Sequence, residues 1–167
     1  MRIAQQNKDS SRLCLHVIIQ IIDQRILDSD ICHTALMATD RLLDTLKSEK
    51  EKKEVLVYFM KKITESSNKV LFDSLLILLL HHCNLVLVEA EEVCRQVLKQ
   101  YADIETSTRL VLLQLLVKLL FLDKENQRVK TMFDYVLDLN SRDMNVEVRV
   151  QARNIKAVFL LFLRKGL

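Results

Sequence analysis

Glycine and proline are almost absent from this chain of 167 residues, which contains one glycine, Gly166, and no proline. Average proteins contain about 7% glycine and about 5% proline. Tight β-hairpins and phosphate-binding loops depend on these residues, because glycine lets the backbone turn sharply or approach a phosphate. The sequence therefore excludes P-loops and dinucleotide-binding motifs, and its abundant Leu, Lys, Glu and Arg predict an all-α fold.

Aromatic residues and net charge are also scarce. The chain has no tryptophan, only 5% aromatic residues, and a formal net charge of +3 from 25 basic and 22 acidic residues. This charge is too small to indicate nucleic-acid binding, and no aromatic residues alternate with the basic ones to stack on bases. We therefore expect no nucleic-acid partner.

Long apolar runs are missing as well. The longest uncharged run spans residues 74–88 and includes two histidines and an asparagine. A membrane-spanning helix needs about 20 apolar residues, so we predict a buried helix followed by a short connection. The first residues lack the apolar stretch of a secretory signal, and we expect a cytoplasmic protein.

Apolar residues recur with the helical period along the whole chain. The clearest set is Val129, Met132, Phe133, Val136 and Leu137, spaced i, i+3, i+4, i+7 and i+8. Residues 106–122 are apolar almost all round, as in a helix packed on several sides. The pattern predicts eight helices, at about 11–27, 31–47, 51–65, 69–83, 88–102, 107–122, 125–139 and 145–163.

The even-numbered predicted helices align with one another at spacings of 39, 38 and 40 residues. The aligned sets are Ile31, Val70, Thr108 and Val148, then Ala35, Ser74, Leu112 and Ala152, then Ala38, Ile77, Leu115 and Ile155. The odd-numbered helices align through Val55, Val93 and Val129, then Phe59, Val97 and Phe133, then Ile63, Tyr101 and Leu137. A helix pair that repeats at this spacing is typical of HEAT and armadillo repeats.

These patterns predict a flexible N-terminus at residues 1–10 and a single HEAT- or armadillo-like α-solenoid at 11–167. Its four helix pairs would lie at about 11–47, 51–83, 88–122 and 125–163. An ordinary globular helical bundle is the alternative, because leucine-rich helices align with one another easily. The apolar end of the last helix indicates either a longer array or a surface covered by a partner.

The fourth predicted pair has the opening of a HEAT repeat, in which Asp143 precedes Val148 and Arg149. In such repeats the Asp caps the second helix, and the Arg bonds to the neighbouring repeat. We therefore expect Asp143 at the start of the last helix and Arg149 at a contact between pairs.

No catalytic, cofactor-binding or metal-binding constellation stands out, and we predict that the chain is not an enzyme. All four histidines lie near a cysteine, as in Cys14-x-His16, Cys32-His33 and His81-His82-Cys83. No CxxC or HxxxH spacing places such groups on one helix face, so we expect no metal. We interpret the histidines as partly buried groups at helix ends and the cysteines as reduced core residues.

Basic residues cluster twice. Between Lys47 and Lys69, lysines and glutamates alternate, which indicates a solvated surface. In the last helix, Arg149, Arg153 and Lys156 are spaced i, i+4 and i+7, on one face. This face is either a helix-stacking arginine with solvated charge or a patch for an acidic partner surface or anionic lipid. The candidate surface comprises Asp143, Asn145, Arg149, Arg153 and Lys156.

The second half of the chain resembles the trunk of β-adaptins, the large β subunits of vesicle-coat adaptor complexes. The resemblance is carried by the leucine-rich run 111–122, by a second leucine-rich helix at 129–139, and by a signature across 143–153. The signature residues are Asp143, Asn145, Glu147, Val148, Arg149 and Arg153. The greatest likeness is to the β subunit of the third adaptor complex.

The resemblance implies a scaffold without enzymatic activity or cofactor. Its implied partners are the N-terminal domain of the medium adaptor subunit and the second large subunit. The implied location is the cytoplasmic side of Golgi and endosomal membranes, with peripheral attachment through the complex only. The alternative is a free-standing helical-repeat or bundle protein that binds a partner helix in a groove.

Overall fold

The computed structural model describes residues 2–25, 28–66 and 71–164, and this part of the chain is helical with no β-strand. It forms eight α-helices, namely α1 (Arg2–Arg25), α2 (Ser29–Thr45), α3 (Glu49–Ser66), α4 (Leu71–His82), α5 (Leu87–Lys99), α6 (Thr106–Leu122), α7 (Gln127–Ser141) and α8 (Val146–Arg164). Short 3₁₀ turns at Cys83–Leu85 and Tyr101–Asp103 precede α5 and α6. The all-α prediction is confirmed.

The helix bounds lie within a few residues of the predicted ones, except at the first helix. Helix α1 begins at Arg2, inside the segment 1–10 for which we predicted a flexible N-terminus. That segment contains good helix formers and neither glycine nor proline, so nothing in it stops the helix from extending backwards. Val70, one of the aligned positions, lies outside the described residues.

Polar side chains fix several helix starts. Asp28 caps α2, because its carboxylate accepts a hydrogen bond from the backbone N–H of Ile31 (3.3 Å). Asn126 caps α7 and accepts from the N–H groups of Arg128 and Val129, both at 3.1 Å. These caps satisfy backbone donors that would otherwise lack a partner in the first helical turn.

Consecutive helices pair, and neighbouring pairs also touch. Helix α1 packs on α2, α3 on α4, α5 on α6, and α7 on α8. The even-numbered helices contact one another in chain order, α2 with α4, α4 with α6, and α6 with α8, and α3 contacts α5. The even-numbered helices therefore lie next to one another in chain order.

Burial follows the repeat spacing. At the second aligned position of the even-numbered helices, Ala35, Ser74, Leu112 and Ala152 are all buried. At the second aligned position of the odd-numbered helices, Phe59, Val97 and Phe133 are buried too. Small residues recur where two helices approach closely, and large ones fill the space between pairs.

Helix α6 is covered on several sides, as its apolar pattern predicts. Seven of its residues are buried, namely Thr108, Leu112, Leu113, Leu115, Leu116, Leu119 and Leu120. It contacts α4, α5, α7 and α8. Arg109 and Lys118, the two charged residues of this mostly apolar helix, are half-buried.

The contact of α7 with α8 depends on one aromatic side chain. Phe133 is fully buried, and its ring lies 5.0 Å from the ring of Phe159 on α8. We expect Phe133→Ala to lower the free energy of unfolding by about 3–5 kcal/mol, because it removes apolar contacts and leaves a cavity. Urea denaturation followed by circular dichroism measures this change.

Tyr135→Ala is the matched control, since Tyr135 lies on the same helix and is 56% exposed. Its effect should stay within about 0.5 kcal/mol. Equal losses for the two variants would contradict the packing described for α7.

Candidate interaction surface

Two of the five candidate surface residues, Asp143 and Asn145, lie in the connection between α7 and α8, and Arg149 of α8 contacts this connection. Asn145 caps α8, because its side chain accepts a hydrogen bond from the N–H of Glu147 (2.8 Å). The Asp143 carboxylate accepts from the N–H of Asn145 (2.8 Å). Arg149 donates to the carbonyl oxygens of Asp143 (2.6 Å) and Met144 (2.8 Å). Arg149 therefore stabilises its own connection.

A different arginine links this connection to the preceding helix pair. Arg109 of α6 donates to the Asp143 carboxylate over 2.7 Å, and the two side chains are 20% and 6% exposed. The predicted roles are therefore wrong in detail: Asn145 caps α8 instead of Asp143, and Arg109 bridges the pairs instead of Arg149. Helical side chains lean towards the N-terminus of their helix, which carries Arg149 back over its own connection.

Two further residues extend this link to α7. The Tyr101 ring lies 5.2 Å from the guanidinium carbon of Arg109, and the Tyr101 hydroxyl donates to the side-chain oxygen of the buried Asn140. Burial raises the pKa of Tyr101 to about 12, although the Arg109 charge opposes the shift. Tyr101 therefore remains a neutral hydrogen-bond donor at neutral pH.

The charge state of Asp143 depends on the same contacts. Burial by itself would raise the pKa of Asp143, but the N–H of Asn145 and the guanidinium of Arg109 outweigh it and hold the pKa below its usual value. The carboxylate is therefore ionised at neutral pH and can pair with Arg109.

The other two candidate residues, Arg153 and Lys156, lie away from this cluster. Both are exposed on α8, and neither forms an ion pair with any residue that the structure describes. The structure thus divides the predicted surface into a structural cluster around Asp143 and two unpaired cations further along α8.

The lysines of the first basic cluster are mostly paired. Lys62 contacts the carboxylate of Asp23 on α1 (2.6 Å), and Lys53 contacts that of Glu89 on α5 (3.1 Å). These contacts join helices two apart in the chain, which the alternating Lys/Glu pattern did not reveal. A search for opposite charges one repeat length apart would have found them.

Another polar cluster joins α2, α4 and α6. The Asp40 carboxylate contacts Nδ1 of His81 (2.8 Å) and Nε2 of His82 (3.0 Å). Lys118 donates to the carbonyl oxygen of Leu80 (2.6 Å) at the end of α4. His81 and His82 lie at a helix end as predicted, and Asp40 is the partner that the sequence did not identify. His16 contradicts the prediction, because it is exposed and lies within α1 instead of at its end.

Three of the four cysteines are buried as predicted, namely Cys32, Cys83 and Cys94. Cys14 is exposed, so the prediction is wrong there, because it lies on an outward face of α1 beside the exposed Leu13 and Val17. Burial raises the pKa of Cys83, which disfavours the thiolate that binds metals. Within the described ranges no group of three His, Cys, Asp or Glu side chains could hold a metal ion.

Apolar side chains are exposed on two faces. One is a groove of about 570 Å³ between α1 and α2, which is lined by Leu13, Cys14, Val17, Ile18, Ala38, Arg41 and Leu42. The other is on α8, where Val146, Val150, Leu160 and Leu161 are each at least 45% exposed. Exposed apolar faces rimmed by charge are typical of protein interaction surfaces.

Comparison with protein-family models, curated proteins and solved structures finds no match to this chain. No helix in the described residues combines the length and apolar character that spanning a bilayer requires. The resemblance to β-adaptins therefore stays a prediction based on residues 105–163.

The Arg109–Asp143 pair predicts a pH-dependent contribution to stability. Because the folded state holds the pKa of Asp143 below its unfolded value, the carboxylate stabilises the fold above about pH 4. That contribution is lost as the pH falls through the folded-state pKa. We expect Asp143→Asn to lower the free energy of unfolding by about 2 kcal/mol at pH 7, and the difference to close at low pH. Urea titrations across this pH range measure it.

Asp138→Asn is the matched control, because Asp138 is 58% exposed and pairs at 2.9 Å with Arg142, the C-cap residue of α7. This variant should change stability by less than about 1 kcal/mol at any pH. The proposed pairing would be ruled out if Asp143→Asn changed the free energy of unfolding as little as Asp138→Asn does, or if its effect stayed the same at low pH.

Proposed function

We propose that the eight helices form a HEAT- or armadillo-like α-solenoid that serves as a non-enzymatic scaffold for other proteins. One observation carries this proposal: most long-range polar contacts in the described residues join helices two apart in the chain. Their partners are separated by 34 to 42 residues, close to the repeat spacing. Contacts of this kind are expected where each repeat touches its neighbours.

Contacts between apolar residues support the same arrangement. The even-numbered helices contact one another in order, and the second of their aligned positions is buried in all four helices. A stack of this kind presents long faces made of ordinary polar and apolar side chains, which suit binding of other proteins better than chemistry on a small molecule. A globular bundle would also bury its leucines, but it has no reason to repeat the same contacts at one spacing.

Within this class, we propose a scaffold segment of a vesicle-coat adaptor complex. Support comes from the resemblance of residues 105–163 to the β-adaptin trunk, whose signature includes Asp143, Asn145 and Arg149. Asp143 and Asn145 lie in the connection that carries the Arg109 contact, and Arg149 of α8 bonds to it, so the signature coincides with a junction between helix pairs. The partners would be a medium adaptor subunit and the second large subunit, on the cytoplasmic side of Golgi or endosomal membranes.

Solution scattering tests the solenoid. A compact domain of this length has a radius of gyration of about 15 Å. We expect small-angle X-ray scattering of the monomer to give a clearly larger value and a distance distribution with a long tail. A value near 15 Å with a symmetric distribution would favour the globular bundle.

Co-expression tests the adaptor function. The full chain is produced with the N-terminal domain of each adaptor medium subunit in turn, and the products are analysed by size-exclusion chromatography with light scattering. We expect a one-to-one complex with one of these domains, and the other medium-subunit domains serve as controls for specificity. A monomer that binds none of them would move the assignment to a free-standing helical-repeat protein.

A further inference from the structure

Helix α8 carries apolar residues on two faces. Its inner face packs on the rest of the molecule through Val148, Ala152 and Phe159, which are buried or half-buried. Its outer face, defined here as Val146, Val150, Arg153, Lys156, Ala157, Leu160 and Leu161, is exposed along its whole length. At 1.5 Å per residue this face is about 24 Å long, enough for a partner helix of four turns.

The repeat alignment shows what this face corresponds to in the other even-numbered helices. Arg153 aligns with Leu36, Leu75 and Leu113, which are all fully buried. Lys156 aligns with Thr39, Leu78 and Leu116, which are also fully buried. At the positions of Arg153 and Lys156, the residues of α2, α4 and α6 are therefore buried, whereas α8 leaves both positions exposed.

At these covered positions α8 carries cations instead of leucines. A guanidinium or ammonium group that is taken out of water destabilises the contact unless an opposite charge compensates it. Arg153 and Lys156 have no such carboxylate among the described residues. Whatever covers this face must therefore supply acidic groups next to an apolar stripe.

We propose that the outer face of α8 binds an amphipathic helix of another polypeptide, with an apolar stripe flanked by carboxylates. The stripe packs on Val150, Ala157 and Leu161, and the carboxylates pair with Arg153 and Lys156. This inference rests on the proposed scaffold function and names the chemistry of one partner.

Two other occupants fit the charge pattern less well. A second copy could offer the apolar groove between α1 and α2, but that groove carries Arg41, which would repel the cations of α8. An anionic membrane is recognised by clusters of about four to eight basic residues, whereas the side chains described on this face include two, Arg153 and Lys156. The carboxylate-bearing helix accounts for both the apolar and the charged residues.

Binding of a designed peptide pair to the full chain tests the proposal. The acidic peptide, of about 18 residues, has leucines at i, i+4, i+7 and i+11 with flanking glutamates, and its counterpart has a lysine in place of every glutamate. We expect fluorescence anisotropy to show binding of the acidic peptide and at least about tenfold weaker binding of the basic one. Equal affinities would overturn the proposal.

Charge reversal on the protein locates the site. The double variant Arg153→Glu/Lys156→Glu should bind the acidic peptide about tenfold more weakly and gain affinity for the basic peptide. The double variant Lys124→Glu/Lys130→Glu changes the net charge equally at exposed positions outside α8 and should bind like the wild type. The proposal fails if both variants respond alike. Circular dichroism checks that each variant is folded, and both pairs change exposed residues.

Two further measurements separate the other occupants. Leu161→Asp, at a 57% exposed position, should weaken peptide binding without changing the molecular mass of the protein alone. If the molecular mass of the wild type rises with concentration and that of Leu161→Asp stays at the monomer value, a second copy is the occupant. Flotation with vesicles containing phosphatidylserine, lost in the Arg153→Glu/Lys156→Glu variant, would identify a membrane. None of these assays uses an adaptor subunit, so they can succeed or fail independently of the co-expression experiment.

Discussion

The need to bury most of the surface of α6 determines where its neighbours lie. Six of its leucines are buried, and each contributes about 1.5–3 kcal/mol when it leaves water. One neighbouring helix cannot cover so wide an apolar surface, so α4, α5, α7 and α8 all contact it. Helices α5 and α7 are amphipathic and turn their polar faces to water, whereas α4 is itself mostly buried and α8 also exposes apolar residues.

Polar contacts then favour one register between these apolar helix faces. Leucine faces fit together in several registers at similar free energy, and an unpaired buried charge penalises all but one of them. Lys118 with the end of α4 and Asp40 with the two histidines each join helices two apart, and Arg109 with Asp143 joins α6 to the connection between α7 and α8. We infer that such contacts help to set the register between pairs, because another register would leave a largely buried charge such as Asp143 without its partner.

Helix positions and core residues followed from the sequence, while side-chain partners did not. The spacing of apolar residues and the capping residues can be read from a short stretch of sequence. Helix α7 and its buried residues around Phe133 were therefore predictable. The direction of Arg149 depended on the lean of helical side chains over their own N-terminal turn, which the spacing of charges does not reveal. The sequence predicts a buried Cys14 because cysteine side chains are usually buried in proteins. No described helix covers the face of α1 on which Cys14 lies, and its side chain is exposed. The start of α1 was missed because the polar residues 2–10 offer no apolar period, although nothing in them breaks a helix.

The outer face of α8 departs from the pattern of the other even-numbered helices. Leu36, Leu75 and Leu113 are fully buried, whereas the aligned Arg153 is exposed and keeps its charge in water. An apolar helix like α6 could not cover Arg153 without burying an uncompensated charge, so the substitution excludes the chain's own kind of neighbour. The surrounding valines and leucines still provide apolar area for association. Affinity on this face would then come from the apolar residues, and specificity from the two cations that reject a partner without carboxylates.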